Sequence, residues 1–364
     1  MKNFRIRQGL ILFFSLLLIS YSLVPATDFK VIHPCDGALI LQEPGWALNM
    51  TAIDTGSGLV IIDTFASPKV AAKAKLKIKE FFKKPVTHVI NTHYHWDHTF
   101  GNQVFADAEI IGHTLCAEDM KTEYPDLKGQ LAPYDRSLKQ MNPTTDQYRW
   151  LKQMRADVQS DMRLTPPTVL IGDKKNMRIG SLTFKFYHVP GLHTRSNLTI
   201  YIPELGLIFT RSSFHHNSLP RLEPGVDMYK LLGSLEDVLS HGKAMKYIIP
   251  GHGDPDPDPD LWVPLRYLKN LNQAVKEAIQ KGKTQADAEK IFDAGGFDID
   301  ENFRDNHRRN LSFLWDALIS ADKQFDLPVL PDRCHDIHRM PRKAYWREAM
   351  GRYFQEHLKL ETGK

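Results

Sequence analysis

The sequence predicts an α/β protein. Short strand-like runs alternate with segments of helical periodicity over the first 255 residues, a histidine-rich turn follows one of the strands, and a mainly helical tail closes the chain. The chain has 364 residues, 42% of them apolar, which is enough for one large domain or two ordinary ones. That composition excludes a disordered or fibrous protein.

Lys2, Arg5 and Arg7 precede the apolar run GLILFFSLLLISYSLV, and PAT with small Ala26 follows it. This is the layout of a secretory signal peptide over residues 1–26, cleaved after Ala26. It predicts a periplasmic or secreted protein with no stable membrane insertion after cleavage. An uncleaved anchor is the alternative, but residues 9–24 fall short of the roughly 20 needed to span a bilayer. The leader contains three basic residues and no acidic one. Since the whole chain has 47 Lys+Arg and 43 Asp+Glu, the remainder is nearly neutral. No basic cluster with interleaved aromatics recommends a nucleic-acid partner. Cys35, Cys116 and Cys334 are odd in number and widely spaced, which excludes a dense disulfide framework and shows no CxxC zinc pattern. Pairing of Cys35 with Cys334 and buried unpaired thiols both remain open.

Residues 37–64 read as three strands, GALILQ, WALNMTAID and GLVIIDT, parted by turn-prone EPG and TGSG. Residues 65–83 have helical periodicity behind a Ser-Pro start. PVTHVI is then a strand, and it delivers INTHYHWDHTFGN at its C-terminal end, where open sheets place ligand sites. AEIIGH is another strand. Residues 114–165 are more polar, include a helix from Asp146 to Met162, and read as an insertion bordering the site. Strands resume in MRIGSLTFKFYHVPG, LTIYIPELGLIFT and AMKYIIPGHG, with a helix in DMYKLLGSLEDVLSHG before the last. GDPDPDPD can continue neither a helix nor a central strand, so a first domain over 27–255 gives way to a helical extension over 256–364. The expected helices there are 261–282, 284–293, 302–322 and a final amphipathic one in MPRKAYWREAMGRYFQEHLK.

The turn holds His93, His95, Asp97 and His98. Histidines two apart at the end of an extended segment point to the same side, so His93 and His95 can hold one ion. The turn beyond them can swing Asp97 and His98 toward a second. Two ions need more ligands, and both His193 in VPGLHTRSN and His252 in IIPGHGDP follow strands behind a glycine.

The order HxHxDH, then GLHT, then PGHG, with GLVIIDT ahead of them, resembles the metallo-β-lactamase fold superfamily of metallohydrolases over roughly residues 37–255. That resemblance implies an αβ/βα four-layer sandwich with the metals at one edge. It implies two Zn2+ ions, one on His93, His95 and His193, the other on Asp97, His98 and His252, with Asp97 also the catalytic residue that orients the attacking water. Asp63, Asn91 and Thr194 are expected to support these ligands. Many family members have an aspartate bridging both metals where this chain has Ser212, a poor zinc ligand. Serine there is similar to the third subclass of true metallo-β-lactamases and related periplasmic hydrolases. Arg211, His215 and His216 are close enough in sequence to meet a substrate.

The expected activity is hydrolysis of an ester, lactone, amide or β-lactam bond in a small-molecule substrate, with a water acidified between the zinc ions as nucleophile. A true β-lactamase is disfavoured by the long tail beyond PGHG. The reading from another class is a zinc-binding accessory protein of an exported quinoprotein or redox system with little hydrolytic activity. Nothing in the chain sets an oligomeric state.

Overall fold

The computed structural model describes residues 29–210, 219–241, 244–257, 262–292 and 301–325. The leader 1–26, Ser212 with Arg211, His215 and His216, Cys334 and the final amphipathic helix lie outside them.

Seven strands form the first sheet in sequence order: β1 (Lys30–Ile32), β2 (Ala38–Gln42), β3 (Asn49–Asp54), β4 (Leu59–Ile62), β5 (Val86–Ile90), β6 (Glu109–His113) and β7 (Val169–Ile171). The first four are antiparallel neighbours joined by tight turns. From β4 to β7 the pairing is parallel, because the chain returns through longer crossovers that include helices. The second sheet runs β12-β11-β10-β9-β8, from β8 (Lys174–Ile179), β9 (Leu182–His188), β10 (Leu198–Ile202), β11 (Leu207–Phe209) and β12 (Tyr247–Ile249). Only its β11–β12 pair is parallel, because α6 (Met228–Leu239) intervenes.

Alternation sorts the apolar side chains into two cores. Ile40, Val60, Ile62, Ile90 and Ile111 of the first sheet meet Phe184, Phe186, Ile200 and Phe209 of the second. Leu39, Leu41, Ile61, Val89 and Ile110 point the other way, toward Ala71, Ala74 and Ile78 of α1 (Pro68–Phe82). Burial on both faces is why ALILQ and LVII read as continuous apolar runs rather than alternating ones. Helix α1 starts where Ser67 accepts from Val70 N with Pro68 in the first position, and it ends on left-handed Lys83.

Residues 114–165 differ from expectation. Where the sequence suggested a polar insertion with one helix, the structure has three: α3 (Thr114–Glu123), α4 (Leu127–Gln140) and α5 (Asp146–Ser160). Their exposed faces are polar, but Tyr134, Leu151, Met154 and Val158 join the core behind the first sheet. His113, Asp126 and Thr145 cap the three N-termini. The signal was diluted because Pro133 lies inside α4 and apolar positions are sparse.

After β12 come α7 (Trp262–Gln280), α8 (Gln285–Ile291), which opens on a Thr284/Asp287 capping box, and α9 (Glu301–Phe325). The chain divides into two compact units, 1–314 and 315–364; residues 315–325 of the second are described and are helical. Within the first unit, Asn310 accepts from Leu222 N and donates to Pro220 O. No helix among the described residues is long and apolar enough to cross a membrane.

Candidate metal centre

The centre forms where β4 and β5 stop side by side. Asp63, just past β4, has φ 57°, a left-handed conformation that Asp and Asn tolerate better than most residues. Its carboxylate accepts from Thr92 N (2.9 Å) and Thr92 Oγ1 (2.8 Å) and faces His98 Nδ1 at 2.9 Å. After β5 the chain bends through 91–95 into the one-turn helix α2 (Trp96–Thr99), which presents Asp97 and His98 inward. Asn91 and Asn102 exchange amide hydrogen bonds of 3.0 and 2.8 Å, which pins the two ends of this turn together.

Two later loops complete it. His193 sits beyond β9 with φ 64°, and its backbone N donates to Arg221 O. His252 follows β12 and Gly251. A Cβ at Gly251 would come within 2.8 Å of His98 Cε1, so the missing side chain is what lets this turn reach the centre. The structure thus gathers His93, His95 and His193 as one group and Asp97, His98 and His252 as another, the donor atoms of each within 4.8 Å of one another. The His93 and His98 rings are 4.6 Å apart, so the groups adjoin.

Proton positions decide what these groups can bind. His98 Nδ1 faces the Asp63 carboxylate, and His252 Nδ1 faces Trp46 O at 3.1 Å; both partners only accept, so both Nδ1 atoms carry hydrogen. In the neutral rings the Nε2 atoms are therefore bare lone pairs. They face each other at 3.2 Å, with Asp97 Oδ2 3.1 Å from one and 3.3 Å from the other. Three acceptors converging on one point could hold a cation between them, a proton or a metal ion. Thr92 Oγ1 extends the logic to the first group: it donates to Asp63, so at 3.2 Å it accepts from His93 Nδ1 and leaves Nε2 unprotonated. His95 Nδ1 and His193 Nε2 meet at 2.9 Å.

Electrostatics agree. Burial disfavours a charged Asp97, yet the neighbouring His98 and His252 imidazoles outweigh it and hold the carboxyl well below its usual range. Burial lowers the His98 pKa, but Asp97 and Asp63 more than reverse this and raise it. A proton on His98 Nε2 is the smallest cation the site can hold, and a divalent ion would take its place. All donors are nitrogen and oxygen, a set that suits zinc.

A third cluster shows the contrast. His113, Asp173 and His188 also bring donor atoms together. Here His113 Nδ1 accepts from Leu115 N, while His188 faces acceptors on both sides, Asp173 Oδ1 at 3.1 Å and Arg195 O at 2.7 Å. The two rings stack at 3.9 Å with planes 17° apart, so their in-plane lone pairs do not converge. This is a hydrogen-bonded brace under the loop that carries His193. Burial, then His188, pushes the His113 pKa down to about 4 from 6.5. A histidine so depressed contributes stability that is complete above pH 6.5 and is lost as pH falls toward 4. Urea unfolding at pH 7 and pH 5 should show a loss of about 2 kcal/mol from this group. His113→Asn, which keeps an N-cap for α3, should remove that loss; an unchanged slope would clear His113 of it.

The supporting residues separate. Asp63 orients His98 directly. Asn91 secures the turn without touching a ligand, and Thr194 Oγ1 donates to Asn197 Oδ1 at 2.6 Å, which braces the His193 loop rather than the ions. Trp96 is buried against Trp46 and Tyr134, so it packs. Thr92, Asn102 and Trp46 O were not foreseen. A threonine directly before the first histidine was the available signal for one of them; a carbonyl leaves none.

The sequence family described as the metallo-beta-lactamase superfamily matches residues 44–275. Metallo-beta-lactamase type 2 of Bacillus cereus is 21% identical over 208 residues, 57% of this chain and 67% of that protein. The 2,4-dinitroanisole O-demethylase subunit alpha of Nocardioides sp. (strain JS1661) is 41% identical over 70 residues, 18% of this chain and only 21% of that subunit. A sec-alkylsulfatase structure from Pseudomonas sp. aligns with a TM-score of 0.57 at 17% identity, over 91% of this chain and 57% of that one. A family match over well more than half of the chain, on two helix-flanked sheets with histidine and aspartate clusters at one edge, shows that the chain belongs to the metallo-beta-lactamase superfamily of metal-dependent hydrolases.

Proposed function

We propose that the chain is a secreted or periplasmic dizinc hydrolase that cleaves an ester, lactone, amide or β-lactam bond. The observation that carries this reading is the trio Asp97, His98 and His252, whose acceptor atoms converge while Asp63 and Trp46 O hold the protons on the far side of both rings. His93, His95 and His193 would hold the first ion and the trio the second. Two zinc ions supply Lewis acidity and bring the pKa of water near neutrality.

The chain's own groups do the rest. The Asp97 carboxylate, through the oxygen that the ion would leave free, would orient the attacking water, take its proton and pass it to the leaving group. Asp63 and Trp46 O keep the two imidazoles from rotating or changing tautomer during that transfer. The secreted location rests on the leader over residues 1–26.

The test is metal content per chain together with turnover of a panel of lactones, thioesters, amides, cephalosporins and, given the alkylsulfatase likeness, sulfate esters. Two equivalents of zinc and chelator-sensitive turnover are expected. Tight zinc with no turnover across the panel would instead favour an accessory metal-binding protein.

A further inference from the structure

Glu43 lies in the β2–β3 hairpin, fully buried, in a stretch with no metal ligand. Its carboxylate takes three backbone N–H groups of its own loop: Gly45 N on Oε2 (2.6 Å), and Trp46 N (2.6 Å) and Leu48 N (3.2 Å) on Oε1. With those N–H groups collected inside, the loop's carbonyls turn outward. Trp46 O faces His252 Nδ1 at 3.1 Å, and Ala47 O accepts from Gly253 N at 2.8 Å. Ala47 has φ 52°, a left-handed conformation unfavourable for a non-glycine residue, which the anchored loop holds in place. Trp150 of α5 closes over the loop so tightly that a Cβ on Gly45 would lie 2.5 Å from its ring. A carboxylate with no solvent access, at a position that could be apolar, is costly unless its acceptors are needed.

We infer that Glu43 is a positioning residue for the second ion: by holding the 43–48 loop it fixes the Trp46 carbonyl that sets the tautomer and direction of His252. The geometry has the form of a relay, from Glu43 carboxylate to Trp46 backbone to His252 Nδ1, leaving Nε2 bare toward Asp97 and His98. Burial pushes the Glu43 carboxyl up to about 7 against the pull of the Trp46, Leu48 and Gly45 N–H groups. This inference rests on the two-ion reading above, and its test has one arm that does not.

In the full chain, cobalt(II) titration followed by visible absorbance should show two equivalents in the wild type. Glu43→Ala should weaken the second equivalent roughly 10–100-fold, the range for residues that orient a ligand, and leave the first within about threefold. Glu43→Gln keeps the volume and one acceptor oxygen, so it should fall between and provides the answer if the alanine variant does not fold. In the second arm, 15N spectra of the metal-free protein should show His252 as the Nδ1–H tautomer in the wild type and as a tautomer mixture in both variants. Equal weakening of both equivalents, or an unaltered second equivalent with an unaltered His252 tautomer, overturns the role of Glu43. A wild type that binds fewer than two equivalents overturns the two-ion reading instead, and the tautomer arm then decides the case of Glu43 alone.

Discussion

Asp97→Asn is expected to lower kcat by roughly 10²–10⁴-fold, the span of a lost positioned acid–base group, with circular dichroism unchanged. The amide retains the size of the carboxylate but loses the charge that the His98 and His252 nitrogens surround. Nδ2 or Oδ1 must then face those nitrogens, and neither can take the proton of an attacking water. The second metal equivalent should weaken as well, since an amide oxygen is a poorer zinc ligand than a carboxylate. Turnover at the wild-type level would show that Asp97 neither binds the ion nor moves the proton. Loss of both equivalents together would show that it organises the whole centre.

Asp63→Asn attacks the same centre from behind. Three donors meet the wild-type carboxylate: Thr92 N, Thr92 Oγ1 and His98 Nδ1. Asparagine tolerates the left-handed backbone at φ 57°, so the substitution isolates the hydrogen bonding from the conformation. Its amide nitrogen must face either Thr92 N, in the place of Oδ1, or both Thr92 Oγ1 and His98 Nδ1, in the place of Oδ2, and each buried donor that loses its acceptor costs about 1–3 kcal/mol. If the loss falls at His98, the imidazole can move its proton to Nε2 and cover the lone pair aimed at Asp97 and His252. Expected outcomes are a lower denaturation midpoint and metal affinity reduced roughly 10–100-fold. Wild-type metal affinity with normal stability would mean that Asp63 serves only to end β4.

How much was legible followed from where each constraint resides. Most strands and α1 were readable because burial on one or both faces writes itself into apolar runs and periodicity, whereas the three-residue β1 and β7 are too short to show it. The helices α3 and α4 were not, since their burial rests on a few residues such as Tyr134, whose hydroxyl donates to Ala66 O from a helix that contains Pro133. The gathering of six metal-type side chains was visible in spacing, because HxHxDH concentrates four of them in one turn. Their supports were visible only when the supporting atom belongs to a side chain next to a motif, as Asp63 does. Trp46 O and Ala47 O act through the backbone, and any residue at 46 would offer the same carbonyl. Glu43 opens the turn-prone EPG and read only as part of that turn, whereas the fold closes α5 over it.

The two halves of the centre also differ in when a growing chain can complete them. His95 and His193 are 98 positions apart, whereas Asp97 and His252 are 155 apart, and the turn bearing His252 interlocks with the first hairpin through Asn49 N to Gly251 O and Gly253 N to Ala47 O. During synthesis the trio of His93, His95 and His193 is in hand before β12 exists, while the second half waits for the chain to return and bolt onto its own beginning. A product released before residue 252 therefore retains five of the six ligands, the whole first group among them, and lacks only the histidine that closes the second.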